Sequence, residues 1–294
     1  MGGSRAVCVC GDPAVCRKID DALAAAGIDV EHSSELPDER DAALVIVDRA
    51  RRLADGAALR GLRAPVVVVG DDLDDDGLIA LMLDAPVSHL VGDPADRDLE
   101  ITSEKLVSGD LFGLEKYLAP GVRIGERAIA GDAAKRAAIG EVCAWAEACG
   151  ARRPIVHRLA SVVDELLMNA LHDAPRESRP VITGGDDQRG RAILRWASDD
   201  HTLAISVTDA FGALRQRDVI DHVRRARDER GRPELDEHGA GLGLYLVVAN
   251  VASLIVNVDP GMRTEVVCLF DLAPHARRAV DSRVRSLHVF AAGA

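Results

Sequence analysis

Aromatic side chains are scarce in this sequence: its 294 residues include only two Trp, two Tyr and four Phe. The cores therefore have to be built from Val, Leu, Ile and Ala, which the hydrophobic content of 48% can supply. No apolar run approaches the roughly 20 residues needed to span a bilayer, and the N-terminus has no signal-peptide pattern. These absences predict a cytoplasmic protein that does not enter a membrane.

Positive charge is also in short supply, with 36 Lys and Arg against 48 Asp and Glu, a formal net charge of -12. An acidic chain repels phosphate backbones and anionic lipid surfaces, which argues against nucleic acid or membrane as the main partner. None of the six cysteines has the Cys or His spacing of a zinc site or a disulfide framework. We therefore expect the cysteines to be small buried hydrophobes.

The first 98 residues alternate apolar, strand-like segments with helical ones. Strands are predicted near residues 5–10, 43–48, 64–70 and 88–92, and a helix is predicted to begin after Asp12 and stop at Gly27. Near-continuous apolar strands between helices predict a parallel sheet covered on both faces. Functional groups of such a sheet gather at the carboxyl ends of its strands, and Asp48 lies at one of these ends.

The order and spacing of these segments resemble a response-regulator receiver domain, which is a flavodoxin-like, doubly wound α/β fold. Asp48 stands where that family carries its phosphorylated aspartate. The family's paired acidic residues are replaced by Gly-Asp at 11–12, its Ser or Thr by Gly70, and its Lys-Pro by Asp-Pro at 93–94. Without that lysine and hydroxyl, nothing would neutralise an acyl phosphate on Asp48. We predict a pseudo-receiver that mediates contacts, with phosphorylation of Asp48 as the alternative.

A helical segment around residues 132–149 comes next, and upstream of it Phe112 and Tyr117 are expected to anchor packing or an interface. No phosphoacceptor histidine precedes the next domain, which disfavours histidine autophosphorylation.

The segment from residue 155 to residue 172 predicts an amphipathic helix with Glu165, Asn169 and His172 on its polar face. A carboxylate there can orient or deprotonate an attacking water or hydroxyl. One helical turn later, the Asn169 amide oxygen can complete a magnesium shell made mostly of phosphate oxygens and water. A lone pair of this kind is more often a solvated helix face, so the hypothesis depends on segments further along the chain.

Two further segments carry matching chemistry. Asp209 ends an alternating strand and can accept a hydrogen bond from an exocyclic amine such as that of adenine. Gly239, Gly241 and Gly243 precede a second apolar helix, where backbone N–H groups can approach phosphate at a positive helix end. A single glycine-rich turn is usually a plain loop, whereas the three segments in this order predict a nucleotide site.

These segments resemble the α+β Bergerat ATP-binding sandwich of the GHKL superfamily. The resemblance implies that Glu165 is the catalytic base and Asn169 the ligand of Mg²⁺. The ATP-binding residues that it implies are Asn169, Asp209, Gly212, Gly239, Gly241, Leu242, Gly243 and Thr264. The sequence departs from the family at Phe211, where a glycine is usual, and at Arg263, which precedes Thr264 in place of another glycine.

The compact domain and the missing phosphoacceptor helix make the sequence most similar to the anti-sigma-factor serine kinases. That resemblance implies a bacterial signal-transduction protein that binds ATP and Mg²⁺ and phosphorylates a protein partner on serine. The alternative is a noncatalytic interaction protein, in which nucleotide orders a lid over residues 213–237 and switches partner binding. An ATP hydrolase is disfavoured, because the sequence shows no lysine-bearing transducer domain.

We therefore predict a receiver-like domain at residues 1–98, a helical connector at 99–153, an ATP-binding domain at 154–272 and a C-terminal tail at 273–294. The tail is either a docking helix or a frayed end. The sequence leaves open whether two copies form a homodimer.

Overall fold

The computed structural model describes residues 4–37, 42–70, 88–94, 97–174, 191–215, 218–219, 242–272 and 286–293. The chain is an α/β protein that divides into two compact units. The first unit comprises Met1–Leu111 with Arg285–Phe290, and the second comprises Phe112–Val284 with Ala291–Ala294. None of the helices in the described ranges is both long and apolar enough to cross a membrane.

The first unit contains the predicted parallel sheet. Its strands are β1 (Arg5–Val9), β2 (Asp29–His32), β3 (Leu44–Asp48), β4 (Val66–Val69) and β5 (His89–Val91), in the order β2-β1-β3-β4-β5. All four pairings among them are parallel. Strand β2 was not predicted, because its residues Asp-Val-Glu-His are largely exposed and do not form an apolar run.

Within the described ranges, four helices accompany these strands: α1 (Pro13–Ala25), α2 (Arg49–Ala54), α3 (Gly56–Leu59) and α4 (Arg97–Ser108). The predicted start of α1 is confirmed, because the Ala14 N–H donates to Asp12 Oδ1 at 2.7 Å and proline occupies the first turn. Ile19 and Leu23 of α1 are fully buried in one cluster with Leu99 of α4. Helix α4, which the sequence placed in the connector, lies in the first unit.

The C-terminal strand, Ser286–Ala291, pairs antiparallel with β5 and makes the sheet of the first unit a mixed one. Leu287, Val289 and Phe290 of this strand are buried. The sequence predicts a docking helix or a frayed end in this part of the chain, and the structure has a strand instead. A six-residue strand forms here because β5 offers it an edge, and the local sequence carries no sign of that partner.

In the second unit, the described residues form five antiparallel strands. They are β6 (Gly125–Ala130), β7 (Arg191–Ser198), β8 (Thr202–Asp209), β9 (Ser253–Asp259) and β10 (Arg263–Asp271), in the order β9-β10-β8-β7-β6. The predicted antiparallel pairing of β7 with β8 and the closing strand β10 are confirmed. The strand predicted at residues 181–183 lies outside the described residues.

Helices α5 (Gly131–Ala148), α6 (Arg153–Met168) and α7 (Leu242–Asn250) belong to the second unit. The predicted apolar face of α6 is confirmed. Its buried members are Ile155, Leu159, Val162, Val163, Leu166 and Leu167. Burying a side chain of this size contributes about 1.5–3 kcal/mol to the stability of the fold, so the apolar face of α6 stabilises its packing in the second unit.

The loop before β6 is fastened to β10. Glu265, which is 3% exposed, accepts hydrogen bonds from the Gly113 N–H at 2.9 Å and from Asn257 Nδ2 at 3.0 Å. The Arg263 guanidinium lies 3.7 Å from the centre of the Phe112 ring, a cation–π contact. Phe112 and Tyr117 were expected to anchor packing or an interface; Phe112 packs against β10 and Tyr117 is buried.

Candidate nucleotide-binding site

The end of α6 carries the proposed catalytic base and metal ligand. The helix does not stop after Met168 but widens into one π-helical turn, Asn169–Asp173, in which the Ala174 N–H donates to the carbonyl oxygen of Asn169. Insertions of this kind are rare in helices and occur often at functional sites. No pattern in the sequence indicated the turn, although Asn169 is its first residue.

The hydrogen-bond network fixes the orientation of the Asn169 carboxamide. With its nitrogen turned towards the neighbouring carboxylates, Asn169 donates to Glu165 Oε1 at 3.2 Å and to Asp173 Oδ2 at 3.2 Å. Glu165 and Asn169 therefore lie together, as the helical spacing predicted. His172, which the sequence placed on the same face, instead pairs with Asp132 of α5, with Nε2 and Oδ1 3.4 Å apart.

The surroundings of Glu165 disfavour the charged form of its carboxyl group. Burial raises its pKa, and the carboxylates of Asp173 and Asp164 raise it further, while Lys135 acts in the opposite direction. Lys135 reaches across from α5 and pairs with Asp164, with Nζ and Oδ1 2.8 Å apart. A carboxylate with a raised pKa is a stronger base, which is the property a proton acceptor needs near neutral pH.

Gly243 brings the start of α7 directly against this carboxylate. A Cβ atom at position 243 would lie 1.5 Å from Glu165 Oε1 and 2.1 Å from Glu165 Cδ. Any residue other than glycine would displace the carboxylate from its present place. The sequence predicts a glycine here for phosphate binding, and the structure adds a second requirement, the close packing of α7 on Glu165.

Only part of the second glycine motif lies within the described residues. Leu242 is the first residue of α7. Gly239 and Gly241 lie outside the described ranges, as does most of the lid predicted at residues 213–237.

Asp209 lies at the end of β8, opposite Thr264 of β10. Burial raises the pKa of the Asp209 carboxyl, outweighing the lowering effect of its contacts with the N–H groups of Phe211 and Gly212 and with Thr264. The Phe211 N–H donates to Asp209 Oδ1 at 2.8 Å. The Thr264 hydroxyl is close enough to act on this pKa but falls short of hydrogen-bond geometry, and it has no partner within the described parts of the chain.

An unpartnered buried hydroxyl beside a buried carboxyl is costly. Leaving such a group unsatisfied costs about 1–3 kcal/mol, which a polar ligand would recover by bonding to it. Asp209 and Thr264 together thus offer the paired polar contacts that recognition of an adenine edge requires.

The surrounding backbone leaves no room for a side chain at Gly212, so a glycine is needed there with or without a ligand. Its φ is 56°, and a Cβ atom there would lie 2.1 Å from the carbonyl oxygen of Asp259. The Gly261 N–H donates to the Gly212 carbonyl at 3.1 Å, which holds this loop on the turn between β9 and β10. Phe211, which replaces the usual glycine, is buried with 8% of its surface exposed.

The carboxylate of Asp48, in the first unit, accepts hydrogen bonds from two backbone N–H groups. Its Oδ1 accepts from the Arg51 N–H at 2.7 Å and caps α2, while its Oδ2 accepts from the Gly11 N–H at 2.8 Å. Burial acts to raise the pKa of Asp48, but these backbone donors and Cys10 outweigh it and lower the pKa. Phosphorylation of Asp48 stays a prediction.

Sequence reasoning missed Lys135, Asp164 and Asp173 as parts of the site. Lys135 is nearly buried, yet it lies 30 residues before Glu165 on another helix, and only the packing of α5 on α6 brings the two together. Asp173 offers a weak signal, because it comes after Asn169 at the same four-residue spacing that separates Glu165 from Asn169.

Comparison with known proteins defines no family for this chain. No family model matches the sequence, and no curated protein matches it. Among solved structures, the chain is similar to one in the crystal structure of the SiaB-SiaC complex from Pseudomonas aeruginosa, at 15% identity over 51% of this chain and 89% of that one. The TM-score is 0.34, and a likeness of that size carries no conclusion about function.

Proposed function

We propose that the second unit is a GHKL-type ATP-binding domain, and that the chain transfers the γ-phosphoryl group of Mg²⁺–ATP to a serine hydroxyl of a protein partner. The observation that carries this proposal is the arrangement around Glu165. Asn169 and Gly243, which come from the first and last of the three sequence motifs, both contact the Glu165 carboxylate.

The residues present fit a nucleotide. Asp209 can accept a hydrogen bond from the exocyclic amine of adenine, and the Thr264 hydroxyl can bond to a neighbouring ring nitrogen or to a bridging water. Both groups are buried, and the Thr264 hydroxyl has no partner within the described residues, so a bond to a ligand would satisfy a hydroxyl that burial leaves without one. The amino end of α7 offers partial positive charge and backbone N–H groups to phosphate, and the Asn169 amide oxygen is a suitable ligand for Mg²⁺.

When bound, Mg²⁺–ATP supplies the phosphoryl group and the metal charge that neutralises it during transfer. Glu165 accepts the proton of the attacking seryl hydroxyl. The seryl oxygen then bonds to the γ-phosphorus as the bond to the β-phosphate oxygen breaks, so that ADP leaves and Glu165 holds the proton. Asn169 keeps the Glu165 carboxylate in place through its amide, and Lys135 offsets the charge of Asp164 beside it.

For the first unit we propose a receiver-like domain that mediates contact with a protein partner. Its strand order, β2-β1-β3-β4-β5, supports the flavodoxin-like assignment. Both carboxylate oxygens of Asp48 are engaged by backbone donors, which supports a structural role for Asp48 over phosphoryl acceptance.

One observation favours the noncatalytic alternative. Phe211 fills the position of a glycine in the loop after Asp209 with a buried side chain, which reshapes the floor on which adenine would lie. In that case nucleotide would change partner binding without phosphoryl transfer. Glu165→Ala separates the two functions, because it abolishes transfer in a kinase and leaves nucleotide-dependent partner binding intact in a switch.

Calorimetric titration of Mg²⁺–ATP into the full chain tests the site. We expect the wild type to bind, and Asp209→Asn to weaken binding by about 10- to 100-fold, the value of a hydrogen bond to a charged group. Asp200→Asn, an exposed aspartate in the turn before β8, is the matched control and should bind as the wild type does. A folded wild type that binds no Mg²⁺–ATP would refute the nucleotide site.

A further inference from the structure

The first unit brings together three metal-ligating side chains that are far apart in the sequence. One ligand atom each from Cys8, Cys16 and His32 lie within 4.8 Å of one another. The sequence predicts no zinc site, because these residues have no paired spacing. The fold supplies the proximity that the spacing lacks.

Three neighbouring elements position the cluster. Cys8 of β1 and His32 of β2 are directly opposite each other in the parallel ladder, so they share one face of the sheet. Cys16 belongs to α1, whose buried residues Ile19 and Leu23 pack with Cys8 in one core cluster. The cluster therefore joins a strand, the next helix and the next strand of the chain.

Asp20 orients the histidine. His32 Nε2 and Asp20 Oδ1 are 2.8 Å apart, and Asp20 lies one turn of α1 after Cys16. Histidines that bind metals commonly give their other ring nitrogen to a carboxylate, which fixes the ring and increases its basicity. With Nε2 held by Asp20, Nδ1 is the ring nitrogen that would bind the metal.

We propose that Cys8, Cys16 and His32 bind a Zn²⁺ ion, with Asp20 as the residue that positions His32. Two thiolates and an imidazole suit a thiophilic ion, whereas Mg²⁺ and Ca²⁺ take oxygen ligands. Three protein ligands leave the fourth position of a tetrahedral ion to water or to a group from a partner. The ion would join β1, α1 and β2 and so stabilise this edge of the first unit.

The three proposed ligands differ in exposure, which leaves one side of the site open to an entering ion. Cys8 is 1% exposed, Cys16 is half-buried and His32 is exposed, so an ion can enter from the His32 side. Burial raises the pKa of the Cys8 thiol, which means that the ion must displace a proton there. Cys10 is not among the ligands, and its Sγ lies 4.0 Å from the Asp12 carbonyl oxygen.

Zinc titration of the full chain, reduced and freed of metal by a chelator, tests the site. We expect one Zn²⁺ per chain, and the Co²⁺-loaded protein should show thiolate-to-metal charge-transfer absorption. Cys16→Ala and His32→Ala should each weaken Zn²⁺ binding by at least about 100-fold and remove the Zn²⁺-dependent rise in Tm. Asp20→Asn should keep the stoichiometry and weaken binding by about 10- to 100-fold, the usual cost of losing such a partner.

Cys149→Ala and His201→Ala are the matched controls, because both residues are exposed and lie outside the cluster. They should bind Zn²⁺ as the wild type does. Wild-type affinity in Cys16→Ala or His32→Ala, or no stoichiometric binding by the reduced wild type, would overturn the proposal. None of these outcomes bears on the nucleotide site, which lies in the second unit.

Discussion

Gly243→Ala tests the geometry of the proposed active site. The new methyl group would lie 1.5 Å from Glu165 Oε1, whereas ordinary contacts of a Cβ atom begin near 3.4 Å. The carboxylate oxygen must therefore move by about 2 Å. Because a misplacement of about 1 Å can cost about 100-fold in rate, we expect the turnover of Mg²⁺–ATP to fall by at least about 100-fold.

The fold should survive this change. Alanine is favoured over glycine within a helix by about 1 kcal/mol. The loss of the hydrogen bond between Asn169 and Glu165 costs about the same. The free energy of unfolding should therefore stay within about 1 kcal/mol of the wild-type value, because the clash is with the movable end of a side chain.

The assay is the slow background release of ADP from Mg²⁺–ATP by the full chain, in which water takes the place of the seryl hydroxyl that the proposed reaction uses. Chemical denaturation of the same samples reports their stability. Gly140→Ala is the matched control. It also lies in a helix, but a Cβ atom there would meet no atom within 4 Å. It should add about 0.5–1 kcal/mol of stability and leave turnover unchanged. Wild-type turnover in Gly243→Ala would refute the role of Glu165 as the base.

Three further changes test the electrostatics of the two units. Burial raises the pKa of Glu165 in the folded state, so the protonated carboxyl stabilises the fold in acid and that stability is lost as pH rises through the raised pKa. Near neutral pH, Glu165→Gln should therefore unfold at a higher denaturant concentration than the wild type. A lower midpoint would contradict this. Burial and Lys105 lower the pKa of His288 from 6.5 to about 3, so folding stability should fall by about 2 kcal/mol between about pH 7 and pH 5 through this residue alone. His288→Gln should remove that part of the pH dependence of unfolding, and an unchanged dependence would exclude a buried neutral His288. Glu265→Leu leaves the Gly113 N–H without its acceptor and should cost about 1–3 kcal/mol in denaturation, whereas exposed Glu147→Leu should cost nothing measurable.

Elements that are specified by their own local residues were predictable from the sequence. Strands β3 and β4 are short runs of Leu, Val and Ile, and they formed as predicted because a sheet covered on both faces buries every residue. The apolar face of α6 comes from helical spacing, which also sets Glu165 one turn from Asn169. The start of α1 comes from the Asp-Pro pair, whose capping geometry is local.

Segments that depend on a distant partner were not predictable. Strand β2 is polar and mostly exposed, and its place beside β1 comes from the ladder rather than from any apolar pattern. The C-terminal strand forms because β5 presents an edge almost 200 residues earlier in the chain. Glu265 is a charged residue, and from sequence pattern alone a charged residue is expected at the surface. It is buried because its carboxylate accepts a hydrogen bond from the Gly113 N–H, which lies in a loop far away in the sequence.

The sequence by itself determined the elements whose apolar pattern is local, such as β3, β4 and α6. It also predicts the residues of the candidate nucleotide site, because that prediction depends on spacing along one helix or at one strand end. Only the tertiary structure decided the surroundings of those residues. It packed Gly243 on Glu165, brought Lys135 to Asp164, and assembled Cys8, Cys16 and His32 from three separate elements. The physical reason is that pKa values, close approaches and metal geometry depend on distances through space. Such distances are set by how helices and strands pack, and the local sequence does not contain them.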